Sequence, residues 1–370
     1  MPQLLDRRDI FRASAAAAGV AVIGLGLSDK RQARAAYGSE WPIRLVANEN
    51  PYGPSSSAQD AMVDAVGDGW MYATSEVQFL RRLIAEREGV SPDNILITAG
   101  SGELLKMAGL SFGLDGGVIA ARPTFPMLVD YVRSTGGVVQ EVNLDSDMVH
   151  DLATMESYIS DKTSLVYVCN PNNPTGTILD ATTLRSFIAS VEGRVTVFVD
   201  EAYIDLLDDP EKNAMVDQVI AGKNIIIART FSKLHGMAGL RVGYAIARED
   251  LIRRLRPLQM SFLNVMGLRA AIASYQDVVF QDFSKSKIQE CVDLTQSSLE
   301  AIGLPYTPSK TNFVLFDTKG SVYKFASFMR NKKIIVGRSY APYDTWCRVS
   351  MGKIEQMAIF AEFLEEYYRG

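Results

Sequence analysis

The stretch TSLVYVCNPNNPTG, residues 163–176, joins an apolar, β-branched run to a turn rich in asparagine, proline and glycine. Continuous apolar strands of this kind are expected in a parallel sheet that is covered on both faces. The stretch VTVFVDEAY, residues 195–203, repeats the pattern, and its apolar run ends at the carboxylate of Asp200. Both stretches therefore predict buried strands that end in polar loop residues.

Blocks on either side of these stretches alternate between strand-like and helix-like composition. Residues 90–112 predict a strand at 95–98, a glycine turn and a helix, and residues 116–137 predict a strand, a loop and a helix. The runs KNIIIARTFSK and LRVGYAIA add two more strands. This alternation predicts an α/β domain with a mostly parallel sheet and right-handed crossovers. Functional residues gather at the carboxyl ends of such strands, where NPNNPTG, DEAY and TFSK fall.

The chain after about Gly267 is more helical and then offers short strands at 312–316 and 347–350. We predict a large domain at 61–267 and a smaller C-terminal α/β domain at 268–370. The segment 37–60 is predicted to join the small domain.

The first 36 residues have the composition of an export signal. Arg7 and Arg8 precede a modest apolar run from about residue 15 to residue 27, and Ala33-Arg34-Ala35 resembles a cleavage site. The run is too short for a spanning helix, so no stable membrane span is expected. The paired arginines resemble the twin-arginine type of signal, which predicts an exported or periplasmic protein. The alternative is an uncleaved anchor or an amphipathic tail, and a cytoplasmic protein if the leader does not function.

Composition argues against several classes of function. The net charge of −5 provides no basic field for nucleic acid. Cys169, Cys291 and Cys347 lie far apart, and His150 and His235 are the two histidines, so neither a metal site nor a Ser-His-Asp triad is expected. An odd number of cysteines without a disulfide pattern suits a chain that folds in the cytosol before export.

Three motifs at the ends of predicted strands suggest ligand chemistry. GSGE, residues 100–103, follows a strand and opens a helix, which makes its backbone N–H groups a potential anion site. The alternative is a simple turn that needs glycine. Asp200 at a strand tip needs a cationic partner, such as a protonated pyridine nitrogen, or is a helix N-cap. Asn173 could offer its amide to a phenolate-like oxygen.

The stretch RTFSKLHGMAGLRVGY, residues 229–244, contains a candidate reactive amine. A desolvated Lys233 would have a lowered pKa and could form a Schiff base with an aldehyde. Thr230, Ser232 and Arg241 carry donors suited to a phosphate. The alternative is a surface lysine with a structural arginine, but the glycine-rich, nearly uncharged surroundings favour the reactive lysine.

In chain order, ANENPYGPS, GSGE, NPNNPTG, DEAY, SKLHGMAGLRVGY and CRVSMG resemble the pyridoxal phosphate aminotransferases of fold type I. Within them, the chain is most similar to the histidinol-phosphate aminotransferase group, over nearly all of residues 40–370. The resemblance implies a homodimer with shared active sites. It also implies ping-pong transfer of an amino group between an amino acid, or a histidinol-phosphate-like amine, and a 2-oxo acid. The leader is a departure from that group's biosynthetic members, which work in the cytosol.

The resemblance also implies roles for individual residues. Lys233 would hold the cofactor covalently and move the proton between the substrate Cα and the cofactor C4′. Asp200 would pair with the pyridinium nitrogen, and Asn173 and Tyr203 would hydrogen-bond the 3-oxygen of the ring. Residues implied to hold the phosphate or line its turn are Ser101, Gly102, Glu103, Thr230, Ser232 and Arg241.

Further positions follow from the same resemblance. Phe125 would stack on the ring, with a core phenylalanine as its alternative, and Tyr72 would reach the phosphate from the neighbouring subunit. Arg348 would clamp the substrate carboxylate, with a surface salt bridge as its alternative. Asn312 would help to close the carboxylate pocket, Asn48 would line the entrance, and Arg338 would lie near the site of a substrate phosphate.

Two other hypotheses remain open at the level of sequence. One keeps the cofactor but changes the reaction, as in a threonine-phosphate-type decarboxylase or an amino-acid oxidase. The other is a binding protein that retains the fold without turnover, against which the intact Lys233, Asp200 and Arg348 argue.

Overall fold

The computed structural model describes residues 42–369, so the predicted leader and the first residues of the predicted 37–60 segment lie outside the described part. From Arg44 onward, the described residues form one compact unit. The strands are β1 (Ile43–Leu45), β2 (Ile95–Thr98), β3 (Gly117–Arg122), β4 (Val139–Asn143), β5 (Thr163–Cys169), β6 (Thr196–Asp200), β7 (Ile225–Thr230), β8 (Gly243–Ala247), β9 (Phe313–Asp317), β10 (Ile334–Val336) and β11 (Trp346–Ser350).

The main sheet has seven strands in the order β2-β8-β7-β6-β5-β3-β4. Strands β4, β3, β5, β6 and β7 run parallel to one another, which confirms the predicted α/β class with a mostly parallel sheet. Strand β8 is antiparallel to both β7 and β2. The chain returns from β7 to β8 through a loop rather than a crossover helix, which reverses the strand direction.

Helices cover both faces of this sheet. They are α1 (Ser56–Asp64), α2 (Thr74–Glu88), α3 (Ser101–Gly113), α4 (Met127–Ser134), α5 (Leu152–Ser157), α6 (Ala181–Val191), α7 (Pro210–Asn213), α8 (Val216–Ile220), α9 (Glu249–Leu255), α10 (Val265–Gln276), α11 (Val278–Ala301), α12 (Val322–Asn331) and α13 (Ile354–Arg369). One core cluster joins the sheet to α1, α2, α6 and α10, and a second joins its other face to α3, α4 and α9. None of the helices within residues 42–369 is both long and apolar enough to cross a bilayer.

Local chemistry explains where several helices begin and end. The side chain of Asp180 accepts a hydrogen bond from the backbone of Thr183 and caps α6. Gly89 ends α2 in the left-handed conformation, with φ of 68°. These caps satisfy backbone groups that the helices leave without internal partners.

The C-terminal part contains an antiparallel pair of β9 and β11, close to the predicted strands at 312–316 and 347–350. Helix α10 runs through the predicted boundary between residues 267 and 268, and its residues Ala270 and Ala271 belong to the core beneath the main sheet. The predicted division into two domains stays a prediction.

Candidate active site

Three predicted site residues meet at the carboxyl ends of neighbouring parallel strands. Cys169 at the end of β5 pairs with Asp200 at the end of β6, which in turn pairs with Ala228 in β7. Asn173 follows β5 and Lys233 follows β7 within a few residues. The sheet therefore collects side chains that lie far apart in sequence along one edge.

The amine of Lys233 is buried at this edge of the sheet. Its Nζ donates a hydrogen bond of 3.0 Å to the backbone carbonyl of Asn48 and lies 5.4 Å from the centre of the Tyr203 ring. Burial lowers the pKa of Lys233 to about 8, and the positive charge of Arg348 lowers it further. A substantial fraction of the amine is thus neutral near pH 8, which is the form that attacks carbonyl carbon.

Asp200 is a buried carboxylate with few donors around it. Its Oδ1 accepts from the backbone N–H of Ala202 at 3.2 Å, and its Oδ2 accepts from the Tyr167 hydroxyl at 3.4 Å. Burial raises the pKa of Asp200 to about 6, and these hydrogen bonds and the charge of Lys233 oppose the rise. A cation placed beside Asp200 would complete its coordination and keep it ionised.

Two amides converge on the Tyr203 hydroxyl. Asn48 donates to it through Nδ2 at 2.8 Å, and Asn173 donates at 3.4 Å. Burial raises the pKa of Tyr203, so it is a neutral phenol that can itself donate a hydrogen bond. Asn173 and Tyr203 therefore present a joint hydrogen-bonding edge, and its role toward the 3-oxygen of the ring stays a prediction.

The start of α3 forms a cradle for an anion. Gly100 has a φ of 78°, and a Cβ built on it would lie 2.1 Å from Nη2 of Arg241. The first N–H groups of a helix, here those of Ser101 and Gly102, have no carbonyl of the helix to bond. Glycine at position 100 thus lets the guanidinium of Arg241 approach the helix N-terminus closely.

The loop after β7 adds hydroxyl groups to the same cradle. Thr230 Oγ1 donates to Ser232 Oγ at 2.8 Å, and Arg241 Nη1 lies 3.5 Å from Ser232 Oγ. Arg241 itself is held by the carbonyls of Ala238 and Ala99. The structure therefore brings together the predicted phosphate-binding residues from α3, β7 and the loop before β8.

Glu103 occupies a different position from the other members of this set. One of its carboxylate oxygens accepts from the backbone N–H of Ala99 at 2.7 Å, and the other accepts from Met260 N–H at 2.8 Å. A side chain in the first turn that reaches back to a preceding N–H is a common helix-capping device. Glu103 holds the glycine turn in place, and a carboxylate aimed into an anion cradle would repel the anion.

Arg348 lies beneath the rings of Phe313 and Tyr340, each with its centre 5.4 Å from the guanidinium carbon. One Nη donates to Asn173 Oδ1, and the other donates to the carbonyl of Val46 at 2.8 Å. It is 9% exposed and forms no salt bridge with the described residues, so the predicted alternative of a surface ion pair is wrong. Its Nε is buried without a hydrogen-bond partner.

Asn312 is fully buried next to this arginine. Its Nδ2 donates to the carbonyl of Asn48 at 2.9 Å, but its Oδ1 has no partner. A buried polar atom without a partner costs free energy, on the order of 1–3 kcal/mol. A carboxylate on Arg348 and a donor on Asn312 would remove these costs, which supports a ligand site here.

The prediction that Asn48 lines the entrance needs correction. Asn48 is 2% exposed and adopts a left-handed backbone with φ of 53°. Its backbone N–H and its Oδ1 bond the hydroxyl of Ser350, while its carbonyl accepts from both Lys233 and Asn312. The left-handed turn directs both backbone groups inward, so Asn48 links the N-terminal segment to Lys233.

Three further predicted residues lie at the margin. Phe125 is half-buried and packs against the core between the sheet, α3 and α4. Tyr72 is 75% exposed, and the centre of its ring lies 4.5 Å from the centre of the Phe262 ring. Within a single chain, Tyr72 therefore does not contact Lys233. Arg338 is exposed and lies 5.2 Å from the Tyr340 ring, on which Arg348 also packs.

Sequence reasoning missed some residues that contact the site. Tyr167, inside β5, donates to Asp200, and Ser350, inside β11, holds Asn48. Glu201 and Arg229, immediately beside predicted residues, form a buried ion pair. The sequence did contain a signal for that pair, since Arg229 lies inside an otherwise apolar strand and Glu201 directly follows another.

Comparison with known proteins identifies the family. Residues 42–364 match the family described as aminotransferase class I and II. The chain belongs to this family. The histidinol-phosphate aminotransferase of Caldicellulosiruptor saccharolyticus is 34% identical over 332 residues, or 89% of this chain and 92% of the relative. That of Bacillus velezensis is 36% identical over 345 residues, covering 89% and 93% of the two chains.

A solved structure supports the same assignment for this aminotransferase. The histidinol-phosphate aminotransferase of Sinorhizobium meliloti, in complex with pyridoxal-5'-phosphate, superposes with a TM-score of 0.83 at 27% identity. The match covers 94% of this chain and 96% of that one. The protein is therefore a pyridoxal phosphate-dependent aminotransferase of fold type I, as the sequence predicted.

The residues of the aminotransferase fit pyridoxal phosphate. The cradle at Gly100, Ser101 and Arg241 suits its phosphate, Asp200 suits its ring nitrogen, and Lys233 suits its aldehyde. When bound, the cofactor supplies an aldehyde that takes up the amino group and a ring that withdraws electrons from the substrate Cα.

The remaining steps belong to the side chains. Asp200, as a carboxylate, would hold a proton on the ring nitrogen, and Asn173 and Tyr203 would orient the ring oxygen. Arg348 would bind the anionic group of the substrate and thereby orient its Cα. Lys233, whose pKa burial lowers to about 8, would serve as the base that takes up the Cα proton and gives it back.

Proposed function

We propose that the amino donor is a phosphate-bearing amine of the histidinol phosphate type and that the acceptor is a 2-oxo acid. The observation that carries this proposal is a cavity of about 480 Å³ that extends from Arg348 and Tyr340 to Arg330 and Arg338. Among residues 42–369, neither Arg330 nor Arg338 forms a salt bridge. Free guanidinium groups beside the predicted carboxylate site suit a phosphate.

The names of the relatives support the same donor, since the two curated ones quoted above are histidinol-phosphate aminotransferases. A substrate of this type carries a phosphate ester near the amine carbon, where an amino acid carries a carboxylate. A guanidinium can bind either group through two parallel hydrogen bonds. The reaction would then alternate between the phosphorylated amine and a 2-oxo acid at one site.

The donor is tested with histidinol phosphate, histidinol and an amino-acid panel, each with 2-oxoglutarate. We expect histidinol phosphate to have the highest kcat/KM, and parallel lines in double-reciprocal plots. Arg330→Ala with Arg338→Ala should raise the KM for histidinol phosphate by about tenfold or more and leave the KM for histidinol nearly unchanged. Arg253→Ala, on the surface of α9, is the control. A higher kcat/KM for an unphosphorylated donor would refute the donor, whereas release of carbon dioxide or of peroxide with ammonia would identify a different reaction.

We infer that the enzyme works as a homodimer with shared sites. Exposed aromatic and apolar side chains surround Tyr72, which supports a partner surface there. The relevant side chains are Trp70, Met71, Tyr72 and Phe262. Mixing the inactive variants Lys233→Ala and Tyr72→Ala after denaturation should restore about a quarter of wild-type activity, because half of the dimers are hybrids with one intact site. No recovery, or a monomer by light scattering, would contradict this.

We also propose that residues 1–36, which lie outside the described part of the chain, form a twin-arginine signal. The support is the Arg7-Arg8 pair, the short apolar run and the A-x-A-like site. The protein with both arginines changed to lysine should remain in the cytoplasm on fractionation, while the wild type reaches the periplasm. The same compartment for both would reject the signal.

A further inference from the structure

Three charged side chains join the end of β6, the end of β7 and the last residue of α2. Arg229 donates through Nε to Glu201 at 2.9 Å and through Nη1 to Glu88 at 2.7 Å. The other oxygen of Glu201 accepts from the backbone N–H of Met215 at 2.8 Å. The side chains of Arg229, Glu201 and Glu88 are 7%, 1% and 12% exposed. These three residues, the ion cluster, take no part in the reaction described above.

The ion cluster lies directly behind the active site. Side chains of consecutive residues in a strand point to opposite faces of the sheet. Asp200 and Thr230 point toward the site, so their neighbours Glu201 and Arg229 point to the reverse face. Glu88 contacts Arg229 there, at the end of α2. Movement of Glu201 or Arg229 would therefore be transmitted to a cofactor-binding residue one position away.

Energetics argue that the ion cluster has a role beyond holding the fold. Removing three charges from water is costly, and apolar side chains of similar size often hold a structure equally well. Strands β6 and β7 are already paired through backbone hydrogen bonds, including Glu201 N–H to Ala228 O at 2.9 Å. The guanidinium of Arg229 also constrains geometry, because its planar set of N–H donors fixes both the angle and the distance between the carboxylates of Glu88 and Glu201.

We propose that the ion cluster is a positioning device that fixes the ends of β6 and β7 relative to each other and so sets the distance between Asp200 and the Lys233 amine. Asp200 ends β6, and Lys233 follows the last residue of β7 by three positions. A displacement of about 1 Å between reacting groups can lower a rate by about a hundredfold. Glu88, Glu201 and Arg229 are thus positioning residues for the transamination.

Other ionisable groups interact with the ion cluster and have to be kept constant in a test. They come from α2, from the segment after β6, from β8 and from α10. These groups are Arg87, Asp205, Tyr244 and Tyr275.

The test replaces the ion cluster by Arg229→Met, Glu201→Leu and Glu88→Gln together. The control replaces a second ion pair, Lys223→Met with Glu192→Leu, whose charges are 3.0 Å apart. Lys223 precedes β7 at the end far from the active site, and Glu192 follows α6. Each protein is assayed for thermal unfolding, for kcat and KM with the best donor, and for acetylation of Lys233 by acetic anhydride in the cofactor-free state as a function of pH.

We expect the triple variant to unfold near the wild-type temperature while its kcat falls by about 30- to 100-fold and its KM changes by less than about threefold. The pH midpoint for acetylation of Lys233 should rise by about one pH unit, because a displaced amine is less buried. The control pair should change neither kcat nor the midpoint.

Unchanged kcat and an unchanged acetylation midpoint in a folded triple variant would overturn the proposal. An equal loss in the control pair would do the same, because it would indicate a general effect of lost ion pairs. Should the triple variant fail to fold, Glu201→Gln decides, since the amide keeps its shape and the acceptor for Met215. That variant should lower kcat by about tenfold, and wild-type kinetics from it would refute the role.

Discussion

The two faces of the sheet edge differ in how their buried arginines are paired. On the reverse face, Arg229 is paired with two carboxylates at hydrogen-bond distance. On the active-site face, Arg348 Nε and Asn312 Oδ1 are buried without partners. An unpaired buried group costs free energy, which the anionic group of a substrate would offset at Arg348. The reverse-face arginine is satisfied by the protein alone, whereas Arg348 keeps donor capacity for a ligand.

The largest effect should come from removing the reactive amine. Lys233→Ala should reduce transamination by about 10⁴-fold, because it removes both the nucleophile and the proton carrier. The cofactor-free variant should be at least as stable as the wild type, since a buried amine is lost. As a control, Lys223→Ala should retain activity, because Lys223 precedes β7 at the end far from Lys233. Activity within tenfold of wild type would exclude Lys233 as the catalytic amine.

Asp200→Asn should lower kcat by about 10³-fold, because a neutral amide does not keep the ring nitrogen protonated. Stability gives an independent check. The folded pKa of Asp200, about 6, exceeds the unfolded value, so its contribution to the free energy of unfolding is present at low pH and is lost as pH rises through 6.

Between pH 5 and pH 8, the cofactor-free Asp200→Asn protein should therefore gain on the order of 1 kcal/mol relative to the wild type in urea unfolding. Asp250→Asn, whose carboxylate is exposed beside Arg248, should show no such gain. A lower free energy of unfolding for Asp200→Asn than for the wild type over this pH range would mean that burial does not raise the pKa of Asp200.

Arg348→Met should lower kcat/KM by about a hundredfold, mainly through KM, because the substrate anion loses a bidentate donor. It should also raise the pKa of Lys233, since the charge of Arg348 lowers it in the wild type. The acetylation midpoint of Lys233 measures this second effect. Compared with Arg348→Met, Arg348→Lys should bring the acetylation midpoint closer to the wild-type value than it brings KM. The reason is that lysine keeps the positive charge but lacks the two parallel N–H donors of a guanidinium.

The smallest effect concerns the hydrogen bond at 3.4 Å between Tyr167 and Asp200. Tyr167→Phe removes a donor that opposes the rise in the pKa of Asp200, so this pKa should increase. We expect a severalfold loss of kcat that is larger at pH 6 than at pH 8. Tyr158→Phe, at an exposed position, is the control. An equal loss at both pH values would assign Tyr167 to packing alone.

The fold was predictable where apolar runs were long and uninterrupted. Strands β5, β6 and β7 follow from their β-branched composition, and the mostly parallel sheet follows from the alternation with helices. The direction of β8 was not predictable in this way. It depends on whether the preceding loop crosses the sheet or turns back, and strand composition does not carry that information.

The site was predictable where candidate residues lie at the carboxyl end of a strand or in the loop that follows it. Asp200 ends β6, Asn173 and Lys233 lie in the loops after β5 and β7, and the structure brings them together. The position of Asn48 was not predictable, because its hydrogen bonds reach residues 155 to 302 positions away.

The left-handed turn at Asn48 sets a limit on proteolytic trimming of the N-terminus. Val46 and Asn48 supply the carbonyls that hold Arg348 and Lys233. A protease that removed only the first fifty residues would leave the seven-stranded sheet untouched and yet take away an acceptor from each of these cations. For this enzyme, intact secondary structure by circular dichroism would not certify an intact active site, and mass determination of the mature N-terminus would be the more telling quality control.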